Sequence, residues 1–498
     1  MFRVTGLFLL STLVWAQGPL QFRVSIGADL CAQPTQGRLF VFLSTSEANP
    51  MTGPNWIQPE PFFGRDLANF QAGQAFAIDE QADGFPGPLS QLKPGKYRIQ
   101  ALFDHDFYQA APSDGVGNWY SEVLERELDP AQSGPIDLQL VHTIAAKEFP
   151  VSERIQKIER VSPLLSAFNK REIRDSAAVV LPASYASQPE RRYPVLYIIS
   201  GFGGTLAQMA KHFSQPDTGE VEFIRVLLSG QCKWGHHVYA DSATNGPRGR
   251  VLVEELVPYI DQHFRTVADS RARFVNGHSS GGWSSLWVQV TYPDTFGGVW
   301  SSSPDPVDFR DFQQVNLYTI PPLSLYTDPN GQPRPLGRMG ETPMLWYPNF
   351  AKMDDVLGRG GQLRSFEAVF SPLGADGLPK KCWDRKTGQL DPTVVKTWEA
   401  YDISLILREN WPALAPKLKG KLHIVMGELD TFYLEGATKL LKAELEKLGS
   451  DAEVTLVPGA NHFTVLTPEV RKRQADQMAE AFLTHFNVMG QPAEAVTH

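Results

Sequence analysis

The chain has 498 residues, more than one ordinary domain, and its 42% hydrophobic and 20% charged residues are typical of a globular protein with a sizeable core. A net charge of −9 without a long basic run argues against nucleic acid as a partner. The three cysteines show neither a CxxC pair nor metal-ligand spacing, so we assign none of them a reactive role. We expect no metal site and no cofactor.

A short apolar segment follows the first three residues. Arg3 supplies a cation, and residues 4–16 read VTGLFLLSTLVWA. This run is shorter than the ~20 apolar residues that a membrane span needs. The pattern therefore predicts a secretory signal peptide over residues 1–16, cleaved before Gln17, rather than a membrane anchor. We accordingly expect a secreted or periplasmic protein.

Residues 17–147 are predicted to form an all-β accessory domain. Apolar or alternating runs at 39–43, 97–101 and 136–140 are separated by loops rich in proline and glycine. Several short strands separated by such loops favour a β-sandwich-like domain.

Residues 148–498 are predicted to form an α/β domain with a mainly parallel sheet. The segment 146–172 is interpreted as a linker, and strands then alternate with helices such as 251–264 and the one that begins at Pro468 after Thr467. The strand candidates are 177–181, 194–200, 237–240, 273–276, 298–301, 422–426 and 452–457.

An insertion at residues 304–417 interrupts this alternation. It is rich in proline, glycine and aromatic residues and is too long for a plain loop, so we expect it to contain helices and to cover the carboxyl edge of the sheet. A lid and a purely structural insertion both remain open. If one disulfide forms, we expect Cys232 to pair with Cys382, because both lie in this larger domain.

The hexapeptide GHSSGG at 277–282 lies between an apolar run at 274–275 and a segment that can continue as a helix. A strand, a tight turn and a helix around G-x-S-x-G form the context of a nucleophile elbow. Gly277 and Gly281 remove Cβ atoms that would collide with the adjacent strand and helix. We therefore predict that Ser279 is a nucleophile, although a bare G-x-S-x-G also occurs as an ordinary turn.

A serine nucleophile needs a base, and a histidine base needs a carboxylate that orients it. Asp430 follows the predicted strand 422–426, and His462 follows the predicted strand 452–457. Both turns fall at the carboxyl edge of the sheet, where catalytic groups collect in open α/β folds. We predict Asp430 as the acid and His462 as the base, with Glu428, on the same turn as Asp430, as the rival acid.

Two backbone N–H groups are needed to stabilise the oxyanion of acyl transfer. The amide of Ser280 lies at the start of the predicted helix and is one candidate. The other is expected in the loop SGFGG at 200–204, where we choose Phe202, with Gly203 as the alternative. A glycine turn that only permits close packing would have the same sequence.

At this point the chain resembles the "putative esterase" family of α/β-hydrolases, which includes esterase D, feruloyl esterases and enterochelin esterases. The similarity spans roughly residues 150–490 outside the insertion, and it implies an α/β-hydrolase fold with Ser279 as nucleophile, Asp430 as acid and His462 as base. The matching pieces are VLP at 180–182, YPVLY at 193–197, GFGG at 201–204, GHSSGG at 277–282, PDTFGG at 293–298, GELD at 427–430 and His462.

Three functional hypotheses follow. The leading one is an exported serine carboxylic-ester hydrolase that acts through an acyl-enzyme on a small-molecule or acyl-carbohydrate ester. In the second, an alcohol rather than water resolves the acyl-enzyme, which makes the protein an acyltransferase of the same fold. The third is a non-catalytic binding protein on a hydrolase scaffold, which loss of a triad member would indicate.

Overall fold

The computed structural model describes residues 18–30, 33, 35–106, 108–217 and 219–493. The predicted signal peptide and Cys31 lie outside these residues. The described chain divides into two compact units: one runs up to Asp106 and includes Pro112–Ala145, and the other combines the segment within Phe107–Ala111 with the chain from Ala146 onward. Within the described residues, no helix is long and apolar enough to cross a membrane.

The first unit is built on one hydrogen-bonded sheet of nine strands in the order β4-β1-β9-β7-β6-β2-β3-β5, with β8 also pairing with β6. Among the strand pairs of this sheet that the structure describes, only β1–β9 is parallel. The strands are β1 (Gln21–Ile26), β2 (Thr35–Ser44), β3 (Phe62–Phe70), β4 (Ala75–Ile78), β5 (Asp83–Phe85), β6 (Gly95–Asp104), β7 (Trp119–Ser121), β8 (Leu124–Leu128) and β9 (Pro135–Thr143). The strand-rich character agrees with the sequence, whereas the β-sandwich arrangement remains a prediction.

The second unit contains an eight-stranded mixed sheet in the order β10-β11-β13-β12-β18-β19-β22-β23. The pairs from β13 through β12 to β23 are parallel, and β10 and β11 add an antiparallel edge. The strands of this unit are β10 (Ile155–Val161), β11 (Arg174–Val180), β12 (Val195–Ile199), β13 (Ile224–Leu228), β14 (Gln231–Cys232), β15 (Gly235–His236), β16 (Asp241–Ser242), β17 (Gly246–Pro247), β18 (Arg273–His278), β19 (Gly298–Ser302), β20 (Pro335–Met339), β21 (Thr342–Trp346), β22 (Leu422–Gly427) and β23 (Glu453–Val457).

The helices of this unit connect the parallel strands and build much of the insertion. The predicted insertion holds the hairpin β20–β21 and the helices α6 to α9, which confirms the expectation that it has its own helices. The helices are α1 (Pro163–Asn169), α2 (Leu206–His212), α3 (Arg248–Arg250), α4 (Val257–His263), α5 (Ser280–Thr291), α6 (Tyr347–Leu357), α7 (Gln362–Phe370), α8 (Pro392–Trp398), α9 (Ile403–Leu418), α10 (Glu435–Lys447) and α11 (Pro468–Leu483), with a π-helical segment Val251–Leu256 between α3 and α4.

Three sequence-based assignments in this unit need correction. The supposed linker contains β10, which pairs antiparallel with β11, and the strand β13 was not foreseen. The predicted strand 237–240 is a turn in which Val238 and Tyr239 have φ angles of 44° and 52°. The rings of His236 and His237 hold this turn, because each accepts a hydrogen bond at Nδ1 from the N–H two residues further on.

Helix α5 approaches the sheet so closely that only glycine fits at the contact. A Cβ on Gly281 would lie 2.2 Å from the carbonyl oxygen of Ile199, at the end of β12. A Cβ on Gly277 would lie 2.1 Å from the carbonyl oxygen of Gly281. Backbone atoms cannot rotate away as a side chain can, so both positions exclude any larger residue.

We expect Gly281→Ala to lower the free energy of unfolding by about 3 kcal/mol, because the new methyl group overpacks against the backbone of β12. Urea denaturation followed by circular dichroism measures the change. Gly219→Ala is the matched control, since a Cβ at this exposed position meets nothing within 4 Å. Equal stability of the two variants would contradict the prediction.

Candidate active site

Ser279 stands alone between a strand and a helix. β18 ends at His278 and α5 begins at Ser280, and Ser279 between them has φ of 60° and ψ of −127°. Its N–H donates a hydrogen bond of 3.0 Å to the carbonyl oxygen of Ser302, at the end of β19. A non-glycine residue in this conformation costs about 1–3 kcal/mol and persists only where its surroundings enforce it. The predicted strand–turn–helix geometry is confirmed, and the side chain is partly exposed.

The glycine-rich loop after β12 lies against this turn. A Cβ on Gly201 would lie 3.4 Å from Ser279 Cβ and 4.0 Å from Ser279 Oγ. Phe202 follows directly, and Gly203 has φ of 77°, which favours glycine. Ser280 is the first residue of α5, so its N–H is one of the amides at a helix start that have no partner within the helix. The two predicted oxyanion donors thus belong to neighbouring backbone segments.

His236 supports the glycine-rich loop through a hydrogen bond to Ser200, a role that the sequence did not reveal. Its Nδ1 accepts from Val238 N–H at 3.0 Å, so Nε2 carries the proton and donates to the carbonyl oxygen of Ser200 at 3.0 Å. Burial lowers the pKa of His236 to about 4, which keeps the ring neutral at pH 7. A Cβ on Gly230 would lie 2.0 Å from Nε2, so the ring needs a glycine beside it.

The structure brings Asp430 and His462 together. The turns after β22 and β23 carry them to the same edge of the sheet, and His462 Nδ1 lies 2.8 Å from Asp430 Oδ2. The Asp430 side chain is 0% exposed and that of His462 is 3% exposed. Asp430 Oδ1 also accepts from Phe432 N–H at 2.9 Å. The rival Glu428 is exposed on the same turn, and its N–H donates to the carbonyl oxygen of Val457.

The insertion holds the turn that carries Asp430. Arg338, in β20, donates from Nε to the carbonyl oxygen of Asp430 at 3.0 Å and from a terminal nitrogen to Glu435 at 2.6 Å. Its guanidinium group also lies 4.4 Å from the centre of the Tyr433 ring. Sequence reasoning missed Arg338, because it lies far from Asp430 along the chain.

Aromatic rings surround the imidazole of His462. The ring of Phe432 lies 5.0 Å from it and that of Phe463 lies 5.3 Å from it, both edge-on. Phe463 is 71% exposed, which is unusual for so large an apolar side chain. The ring of His278, the neighbour of Ser279, lies 4.7 Å from that of His462 and therefore places the imidazole beside the elbow.

Desolvation, followed by the proximity of His462, lowers the pKa of His278 to about 3. His278 therefore remains neutral over the pH range in which an ordinary histidine titrates.

Two further polar residues, Asp305 and Gln362, lie beside Ser280 and were also missed by sequence reasoning.

The predicted pairing of Cys232 with Cys382 is wrong. Both are free, buried thiols. Cys232 Sγ lies 3.6 Å from Asn245 Oδ1, whereas Cys382 is held through its N–H by Glu367 Oε1 at 2.7 Å. Burial raises the pKa of both thiols, which is typical of structural rather than reactive cysteines. Among the described residues, no cluster of three or more histidine, cysteine, aspartate or glutamate side chains could hold a metal ion.

Comparison with known proteins places these observations in a family. An endo-1,4-beta-xylanase/feruloyl esterase of Xylanibacter ruminicola is 32% identical over 139 residues, which are 24% of this chain and 18% of that protein. The chain thus spans about a fifth of the length of this curated relative.

Two solved structures resemble the chain over about two thirds of its length. A ferulic acid esterase has 12% identity and a TM-score of 0.40, with 66% of this chain and 99% of that one covered. An S-formylglutathione hydrolase from Agrobacterium tumefaciens has 15% identity and a TM-score of 0.37, with coverage of 65% and 94%.

A family model described as "Putative esterase" matches residues 170–455, which include Ser279 and Asp430 and end before His462. This match covers more than half of the 498 residues, and the chain therefore belongs to this family of ester hydrolases.

Proposed function

We propose that the protein is an exported serine carboxylesterase that acts through an acyl-enzyme, with Ser279 as nucleophile, His462 as base and Asp430 as acid. The observation that carries this proposal is the buried hydrogen bond between His462 Nδ1 and Asp430 Oδ2, beside the strained turn of Ser279. Because Nδ1–H is used by the carboxylate, Nε2 is the nitrogen left to accept a proton.

In the proposed reaction Nε2 of His462 carries the proton, and Nδ1–H stays hydrogen-bonded to Asp430. Nε2 takes the proton of Ser279 as Oγ attacks the ester carbonyl carbon, and Asp430 stabilises the imidazolium that forms. The amides of Phe202 and Ser280 donate to the oxyanion, and the imidazolium then protonates the departing alcohol. Water repeats the sequence on the acyl-enzyme, which releases the acid and restores Ser279.

The substrate class follows from the rings beside the base. Phe432 and the exposed Phe463 offer an apolar surface next to His462, which suits an ester with an aromatic or other bulky acyl group. The curated relative that matches part of the chain has feruloyl esterase in its name, which supports the same class for this chain. Export to a secreted or periplasmic location rests on the apolar segment at residues 4–16.

Ser279→Ala is expected to abolish labelling by a fluorophosphonate probe and to lower kcat on 4-nitrophenyl acetate by a factor of about 10⁶, because the three side chains act as a unit. Gel fluorescence and initial rates measure the two effects. Ser285→Ala, on the same helix, is the control and keeps both signals. Labelling that survives in Ser279→Ala would show that another residue is the nucleophile.

Asp430→Asn is expected to lower kcat by a factor of about 10⁴, because an amide cannot stabilise the imidazolium and favours the wrong tautomer of His462. Glu428→Gln changes a carboxyl group on the same turn and should leave kcat within a factor of about two, since Glu428 is exposed. Steady-state kinetics of the two variants decide between the acids. A large loss in Glu428→Gln alone would reverse the assignment.

His278 should not supply the acidic limb of the pH profile. Activity falls as the pH is lowered, because a protonated base cannot take the proton of Ser279. The pKa of His278 is about 3, so this ring stays neutral throughout that fall. We therefore expect His278→Gln to keep the apparent pKa of the acidic limb of kcat/KM within about 0.3. A larger shift, or loss of the limb, would assign the titration to His278.

A further inference from the structure

A buried cluster of polar side chains lies beside the elbow and is not used by the mechanism above. Ser280 Oγ donates to Asp305 Oδ2 at 2.6 Å, and Gln362 Nε2 lies 3.1 Å from Ser280 Oγ and 3.4 Å from Asp305 Oδ2. Ser280 and Asp305 are 0% and 6% exposed. Burial of a carboxyl group costs free energy that its hydrogen bonds must offset. Because the cluster adjoins Ser279, a change in its hydrogen bonds can alter the backbone next to the proposed nucleophile.

The main chain of Asp305 also contacts the elbow. Its N–H donates to the carbonyl oxygen of Ser279 at 3.3 Å, and the same oxygen accepts from Trp283 N–H at 3.0 Å. The carbonyl of Ser279 and the N–H of Ser280 belong to one planar trans peptide and point in opposite directions. Any contact that holds the oxygen therefore also sets the direction of the Ser280 N–H.

We propose that Asp305 is a positioning residue that holds the Ser279–Ser280 peptide from two sides and so aims the Ser280 N–H at the oxyanion. Its N–H holds the Ser279 oxygen, and its carboxyl group holds the Ser280 side chain. Gln362 is the first residue of α7 in the insertion, and its side chain contacts the hydroxyl of Ser280. Through this contact the insertion also acts on the residue whose N–H is the oxyanion donor. This inference rests on the proposed function, because it assigns a role to an amide of that mechanism.

The acceptor oxygen of Asp305, and not its charge, is expected to matter. Desolvation raises the pKa of Asp305 to about 6, opposed by the hydrogen bond from Ser280. The charged groups that act on it are His462, which lowers this pKa, and Asp430, which raises it. A carboxyl oxygen accepts from Ser280 in either protonation state, and an asparagine amide oxygen can do the same.

Three variants test the proposal with 4-nitrophenyl acetate as substrate. Asp305→Ala is expected to lower kcat by a factor of about 10–100 with little change in KM, somewhat less than loss of a whole oxyanion donor. Asp305→Asn should stay within about threefold of the wild-type kcat, because it keeps the acceptor. Ser280→Ala removes the hydroxyl but keeps the amide, so it should lower kcat by the same factor of about 10–100, and it tests the proposal by itself where Asp305→Ala does not fold.

The affinity for phenylboronic acid provides a second readout. This inhibitor forms a tetrahedral adduct with a serine nucleophile and mimics the oxyanion, so its affinity for Asp305→Ala should fall by about the same factor as kcat. A purely structural role for Asp305 would lower thermal stability and leave both quantities unchanged in the folded protein.

Asp402→Ala is the matched control. Asp402 is also buried, at 2% exposed, and it accepts from Phe309 N–H at 3.0 Å and from Tyr318 OH at 2.7 Å, neither of which belongs to the elbow. Its loss should lower stability and leave kcat unchanged. A wild-type kcat in Asp305→Ala and Ser280→Ala, or an equal fall in Asp402→Ala, would overturn the proposal. Turnover that persists in Ser279→Ala would instead overturn the proposed function.

Discussion

Close packing between helix α5 and the strand ends sets the conditions for everything else at the site. Gly277 and Gly281 allow backbone to meet backbone where any Cβ would lie about 2 Å from a carbonyl oxygen. This contact leaves Ser279 in a conformation that it would not adopt alone, with its amide bonded to the end of β19. The neighbouring loop packs less tightly, since a Cβ on Gly201 would lie 3.2 Å from the carbonyl oxygen of His278 and 3.4 Å from Ser279 Cβ. The strain is local, and the packing of two elements maintains it.

Burial of charged and polar groups is the second condition. Asp430, Asp305 and His236 lie in surroundings where an isolated charge would be costly, and each is accompanied by hydrogen bonds that offset part of that cost. His236 is kept neutral by burial, which suits a group that only holds a loop in place. Low dielectric surroundings also strengthen the contact between Asp430 and His462. The site therefore combines a neutral support, His236, with an imidazole, that of His462, which Asp430 orients.

The sequence could place Ser279, Asp430 and His462 at one edge of the sheet for a physical reason. Each of these residues follows a strand of a parallel sheet, so local patterns place them at one edge before any contact is known. Asp305, Gln362, Arg338 and His236 could not be found in this way, because their roles depend on contacts between residues distant in the chain. Asp430 is buried and Glu428 is exposed, although the two lie on the same turn. Their positions in the sequence do not reveal this difference.

Failures of the secondary-structure prediction have equally local causes. Residues 237–240 have the apolar composition of a strand, but preceding histidine rings accept the backbone N–H groups and hold a left-handed turn. β13 is a short apolar run, whose length and composition do not separate a buried strand from other buried segments. The sequence also could not decide whether Cys232 and Cys382 form a disulfide, because their presence in one domain does not give the distance between them.

The insertion contacts the site at two backbone segments. Arg338 holds the carbonyl oxygen of Asp430, whereas Asp305 and Gln362 contact Ser280. These contacts act on the turn that carries Asp430 and on the start of helix α5. An element that touches both segments can transmit its own position to them. Removal of the insertion would leave the buried polar atoms of Asp430 and Ser280 without these partners, which gives the insertion a structural role, whereas its role as a lid stays a prediction.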